Sequence, residues 1–178
     1  MSFADNLPVA PVEIYQRQTS SYRRTRSAIL ESARICLQIK GFAATSMIDI
    51  ADTAEVSRAT LYNHFRDKGS VFREWARADL ERIFNGAKKA ESNEKALSII
   101  AAIVSEDLAL AKLRSADPAF LTQIVSDQTN PAWDQVRAEM TQLFEDRDGL
   151  ALTWLIGQVF QPLSSEQIKK DVEIIVGR

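Results

Sequence analysis

GFAATSMIDIADTAEVSRATLYNHFRDK, Gly41 to Lys68, holds two short apolar stripes separated by a tight turn. Met47, Ile50, Ala51 and Ala54 repeat at spacings of 0, 3, 4 and 7, which is one face of a helix. Thr45 or Ser46 can cap that helix, with Asp49 reaching back to the freed amides. The chain turns at Glu55-Val56-Ser57, and Ser57 can cap a further helix from about Arg58 to Phe65. Leu61 and Phe65 lie four apart and face inward, with Val56 plugging the turn. Two helices joined by a three-residue turn form a helix-turn-helix. Its second helix then turns Arg58, Ala59, Thr60, Asn63 and His64 outward. These side chains are short or carry donors, so they fit a major groove without filling it with apolar bulk.

Upstream, the pattern predicts a helix from about Tyr22 to Lys40. Ile29, Ala33, Cys36 and Leu37 share one face, Lys40 suits the last turn, and Gly41 suits the left-handed position beyond it. Residues 1–19 read as loosely ordered, because Pro8 and Pro11 interrupt any helix and Gln16–Ser21 is polar without period. Arg17, Arg23, Arg24 and Arg26 form either a solvated arm or one that reaches phosphates.

Downstream, only helical signals occur. Asp67 can cap a fourth helix from Lys68 to about Ala90, and Ser92-Asn93 a fifth that runs to about Leu113. Asp117-Pro118 and Asn130-Pro131 each set a proline at a helix start. Leu150–Phe160 is apolar almost all round, as a surface helix is not. Pro162 stops it. Ser164-x-x-Gln167 is a capping box for a last helix in which Ile168, Val172, Ile175 and Val176 share a face. The expected fold is all-α, about nine helices in two domains.

Charge separates front from back. Residues 14–68 hold nine Lys/Arg against five Asp/Glu, and residues 70–178 hold thirteen against seventeen. A basic front and an acidic back suit a chain whose front alone meets a polyanion. The one histidine and the one cysteine exclude zinc and iron motifs that need two His, and any Cys-x-x-Cys pair. Glycine-rich phosphate loops and the nucleophile-elbow motif are missing. The chain is therefore read as no enzyme, with no cofactor and no metal. Cys36 reads as a small core residue and, with no secretion signal, fits a cytoplasmic protein. The apolar runs are shorter than the about 20 residues that a membrane span needs.

The stretch Gly41–Lys68 resembles the DNA-binding signature of the TetR family of bacterial transcription regulators. The pattern is met at Gly41, Thr45, Ile50, Ala51, Ala54, Val56, Ser57, Thr60, Leu61, Tyr62, His64, Phe65 and Lys68. Two positions depart from it. Glu55 stands where the family usually has glycine, at a cost of about 1 kcal/mol if the turn needs positive φ. Gly69 replaces a common acidic residue and weakens the start of the fourth helix. The resemblance is strong over Arg23–Phe72 and only architectural beyond.

It implies a flexible arm over residues 1–20, a helix-turn-helix domain over 21–67, and an effector-binding and dimerisation domain over 68–178. It further implies a cytoplasmic homodimer on a pseudo-palindromic operator, usually a repressor released by a small-molecule effector, with no membrane partner. The expected DNA contacts are Thr45, Ser46, Ser57, Arg58, Ala59, Thr60, Tyr62, Asn63, His64 and Lys68. Arg58 reads a guanine edge or neutralises a phosphate. Asn63 reads a base or is a solvated filler. His64 is a phosphate clamp or a helix-end residue, and Lys68 is a phosphate clamp. Trp75, Phe120, Gln123 and Trp133 are the candidate effector residues, with Gln128 as a further polar group; plain core is the other reading of these aromatics. Leu152, Leu155, Ile156, Val159, Ile168, Val172 and Ile175 are the expected dimer contacts. The alternatives are the same DNA-binding fold governed by a protein partner, and a helical ligand carrier or enzyme.

Overall fold

The computed structural model describes residues 11–127 and 129–177, with side chains from residue 19 onward. Every regular element in that range is helical. Helix α1 spans Pro11–Lys40. It starts well before Tyr22, because proline is compatible with the first helical position, where its missing N–H has no partner to lose. The expectation of loose structure is thus corrected over 11–19; residues 1–10 lie outside the described range. Gly41 follows at φ +86°, the left-handed stop that its position suggested.

Helices α2 (Met47–Thr53) and α3 (Arg58–His64) form the helix-turn-helix. Ser46 and Asp49 close a capping box on α2, and the Ser57 hydroxyl accepts the Thr60 N–H at 3.0 Å on α3. Glu55 sits between them at φ +53°, so this turn does impose the strained conformation expected at the departed glycine. Helix α4 (Lys68–Ala87) is capped by Asp67 with Ser70 in a second box, which restores the start that Gly69 weakens.

The predicted fifth helix is two, α5 (Asn93–Glu106) and α6 (Leu108–Ala116). Asp107 divides them. Its backbone is extended and its carboxylate accepts the Leu110 N–H at 2.7 Å, capping α6. Helices α7 (Pro118–Ser126), α8 (Ala132–Phe144), α9 (Asp148–Phe160) and α10 (Ser165–Val176) complete the chain, with a 3-10 turn at Glu145–Arg147.

Burial produces two cores. The front core joins Ile29, Leu37, Ile50, Leu61 and Phe65 to Val71 and Phe72 of α4, Ala109 and Leu113 of α6, and Leu121 of α7. Cys36 belongs to it, as read, with its Sγ 3.4 Å from Thr53 Oγ1. The rear core gathers Phe84, Leu97, Ile100, Met140, Phe144 and Leu155 with Ile168, Val172 and Ile175.

This corrects part of the expected dimer surface. Leu155, Ile168, Val172 and Ile175 are buried within one chain, because the α10 stripe packs on α5. An amphipathic stripe specifies that something apolar covers it, and here the cover is internal. Leu152, Ile156 and Val159 are half-buried. The apolar residues left outward on these two helices are Leu150, Phe160 and, most exposed of all, Ile174 at 72%.

Candidate nucleic-acid interface

Leu61 and Phe65 bury the inner face of α3 and leave Arg58, Ala59, Tyr62 and Asn63 exposed on the other. Among the described residues, the side chains of Arg58, Tyr62 and Asn63 form no hydrogen bond or ion pair within the chain. Thr60 is half-buried, its hydroxyl 2.8 Å from that of Ser57. Ser46 and Ser57 stand exposed at the starts of α2 and α3.

Two predicted contact residues are engaged elsewhere. Thr45 is 2% exposed and donates its hydroxyl to the Gly41 carbonyl at 2.6 Å. Its side chain is a clasp for the α1–α2 loop and has no reach outward. Lys68 donates its Nζ to the carbonyls of Phe42 at 2.7 Å and Thr45 at 2.9 Å, and stands 4.4 Å from the Phe42 ring. Its charge satisfies the inside of the same loop.

His64 is half-buried at the end of α3. The Tyr22 ring lies against it at 4.2 Å, and its Nδ1 is buried without a partner. Burial, helped by the nearby Arg26 cation, lowers its pKa. Arg26 is not part of a free basic arm. Its guanidinium donates to the His64 carbonyl, pairs with Glu74 at 3.4 Å and lies 4.4 Å from the Phe65 ring. It pins the end of α3 to α4, a role that no local pattern signals. Arg23 and Arg24 remain exposed.

A cleft of about 780 Å³ opens behind this interface, between the start of α4 and the α7–α8 region. Trp75, Phe120 and Gln123 line it together with Phe42 and Phe72. Trp133 does not. Its indole N–H faces the Ile124 carbonyl at 3.4 Å, and its ring packs against the rear core. Gln128 lies outside the described residues. Among the described residues, no group of three or more His, Cys, Asp or Glu side chains is placed to hold a metal ion, and no helix is long and apolar enough to cross a membrane.

An all-helical chain with a capped helix-turn-helix at its front is the architecture defined here. Residues 29–75 match the family model described as "Bacterial regulatory proteins, tetR family", so the front of the chain carries a TetR-type helix-turn-helix. Over most of the chain the fold is similar to that of a Streptomyces coelicolor A3(2) protein described as a "putative" transcriptional regulator. That pair shares 19% identity and a TM-score of 0.55, covering 87% of this chain and 99% of the other. A TetR-family transcriptional regulator from Haemophilus influenzae RD gives 16% identity and a TM-score of 0.54, covering 87% and 96%. At such identities the likeness concerns the fold. A comparison with curated protein sequences gives no match.

Proposed function

We propose that this chain is a sequence-specific DNA-binding transcriptional regulator, a homodimer that occupies a pseudo-palindromic operator. The observation that carries this reading is the outer face of α3. Arg58, Tyr62 and Asn63 are exposed and unengaged on a helix whose back is locked by Leu61 and Phe65. A rigid helix that presents free donors is suited to a major groove, with Arg58 and Asn63 at base edges or phosphates. Thr60, Ala59 and Tyr62 complete the face. The Ser46 and Ser57 caps and His64 border it, where phosphates would run. Thr45 and Lys68 act one step back, by fixing the loop that aims α2.

The functional division is residues 21–67 for DNA and 68–178 for dimerisation and control. The outward residues Leu150, Phe160 and Ile174 support pairing through α9 and α10. The cleft is the candidate effector site, with Trp75 and Phe120 as apolar wall and Gln123 as a neutral polar group. Its volume falls within the range of small-molecule sites, and charged side chains, among them Arg66, Arg73, Glu74 and Arg77, line it as well. Repression is then relieved by linkage, since an effector that prefers a misaligned dimer weakens operator binding, and the operator weakens effector binding equally.

Selection of bound duplexes from a random pool tests this. The expected consensus is two-fold symmetric, with half-sites about 34–36 Å apart or a multiple of that. No enrichment at low ionic strength, where phosphate contacts are strongest, would overturn the proposal.

A further inference from the structure

Beside the shared apolar core, one carboxylate ties the α1–α2 loop to the rear of the chain. Asp117 stands before α7, in the place of a helix cap, yet its side chain makes no capping hydrogen bond. It reaches instead to the α1–α2 loop. Oδ2 accepts the Phe42 N–H at 2.7 Å and Oδ1 accepts the Ala43 N–H at 3.2 Å. These partners are 75 and 74 residues away in the chain.

Three further observations converge on the loop. A Cβ on Gly41 would collide with Asp117 Oδ2 and press on the Ala116 Cβ, so glycine there serves both the left-handed φ and the close approach of the carboxylate. The Phe42 ring stacks on Phe120 at 3.8 Å and 9°, and Phe120 lies one turn beyond Asp117 on α7. On the opposite side of the loop, Lys68 takes the carbonyls of Phe42 and Thr45. The Phe42 residue is thus gripped at its N–H by the rear of the chain and at its C=O by the start of α4. Immediately after the loop comes Ser46, the cap of α2.

We infer that Asp117 is a positioning residue for DNA recognition: its carboxylate and the Phe42–Phe120 stack fix the angle at which the helix-turn-helix leaves the rear of the chain. Because Phe120 also lines the cleft, a molecule seated there shifts α7 and, through Asp117, the loop that aims α2 and α3. Charge-assisted bonds to backbone amides are directional and stronger than neutral ones, so a small displacement of α7 is passed on and not absorbed. This rests on the functional reading above.

The test uses full-length protein and an operator obtained by duplex selection, together with versions in which the spacing between half-sites is changed by one base pair. Wild type should discriminate against the altered spacings. Asp117→Ala should reduce that discrimination about tenfold, within the 5- to 150-fold range of typical coupling between sites. Asp117→Asn retains an acceptor for one amide and should fall between, and it carries the comparison if the alanine variant does not fold. Hydrogen exchange at the Phe42 and Ala43 amides should accelerate in both variants while the amides within α2 and α3 stay protected. A purely stabilising role would lower melting temperature and leave the spacing preference intact. An unchanged spacing preference in the folded variants, or unchanged protection of the two amides, overturns the inference. If wild type itself selects no duplex, the functional reading fails, and the exchange experiment still decides whether the carboxylate holds the loop.

Discussion

The half-buried ammonium of Lys68 lies 2.7 Å from the carbonyl oxygen of Phe42. Hydrogen bonds to a charged group contribute about 1.5–3 kcal/mol. Lys68→Met should therefore lower stability by about 2 kcal/mol, or roughly 4–8 °C in melting temperature for a chain of this size. Circular dichroism melting measures it. A phosphate clamp would behave oppositely, with weakened duplex binding and an unshifted melting curve.

Glu55 at φ +53° carries strain that glycine would not. Glu55→Gly should raise stability by about 1 kcal/mol, or roughly 2–4 °C. The gain is reduced somewhat by the greater freedom of glycine in the unfolded chain. A variant that melts at or below the wild-type temperature would show that this turn already accommodates the side chain.

His64 introduces a pH dependence whose sign follows from its surroundings. Its pKa in the fold is below the ordinary 6.5, so folding favours the neutral ring. The associated stability is fully present above pH 6.5 and declines as the pH falls toward the depressed value. The carboxylates of Asp49, Asp67 and Glu74 also have lowered pKa values. Their contributions are complete above their ordinary values of 3.8 and 4.5 and disappear only at lower pH. Denaturant titrations between pH 7 and 5 should show a gentle loss in wild type that is absent in His64→Asn. Parallel curves for the two proteins would remove His64 as the cause.

The last helix offers a contrast between neighbouring positions. Ile168 is 5% exposed and Ile174 is 72% exposed. Ile168→Ala should cost about 2–5 kcal/mol through lost burial and the cavity left behind. Ile174→Glu should leave the monomer intact and convert a dimer to single chains in sedimentation. If Ile174→Glu and Leu150→Glu both sediment as wild type does, the pairing surface lies on other helices.

Local chemistry made much of this architecture readable. Ser46, Ser57, Asp67 and Ser164 announce their helices because a cap acts within three residues, and Gly41 announces its stop for the same reason. The inward face of α3 follows from Leu61 and Phe65 alone. What escaped was either ambiguous or distant. The helix expected to run from Ser92-Asn93 to about Leu113 passes straight over Asp107, which is in fact a cap. The stripe of Ile168, Val172 and Ile175 specified burial without saying whether α5 or a second copy provides it. Asp117 was legible as a helix start, but its actual partners are more than seventy residues away. Arg26 and Lys68 carry the charge expected of phosphate ligands, and only three-dimensional proximity reveals carbonyls and rings around them.

The front core does not stop where the helix-turn-helix does, since Val71, Phe72, Ala109, Leu113 and Leu121 roof over Ile29, Leu37, Ile50 and Leu61. A fragment trimmed at Asp67 would keep every side chain of the α3 outer face and lose its own ceiling. Grafting this unit onto another scaffold thus requires carrying α4, α6 and α7 with it, and a lesion as far along the chain as Leu113 can unseat α3 through the core they share.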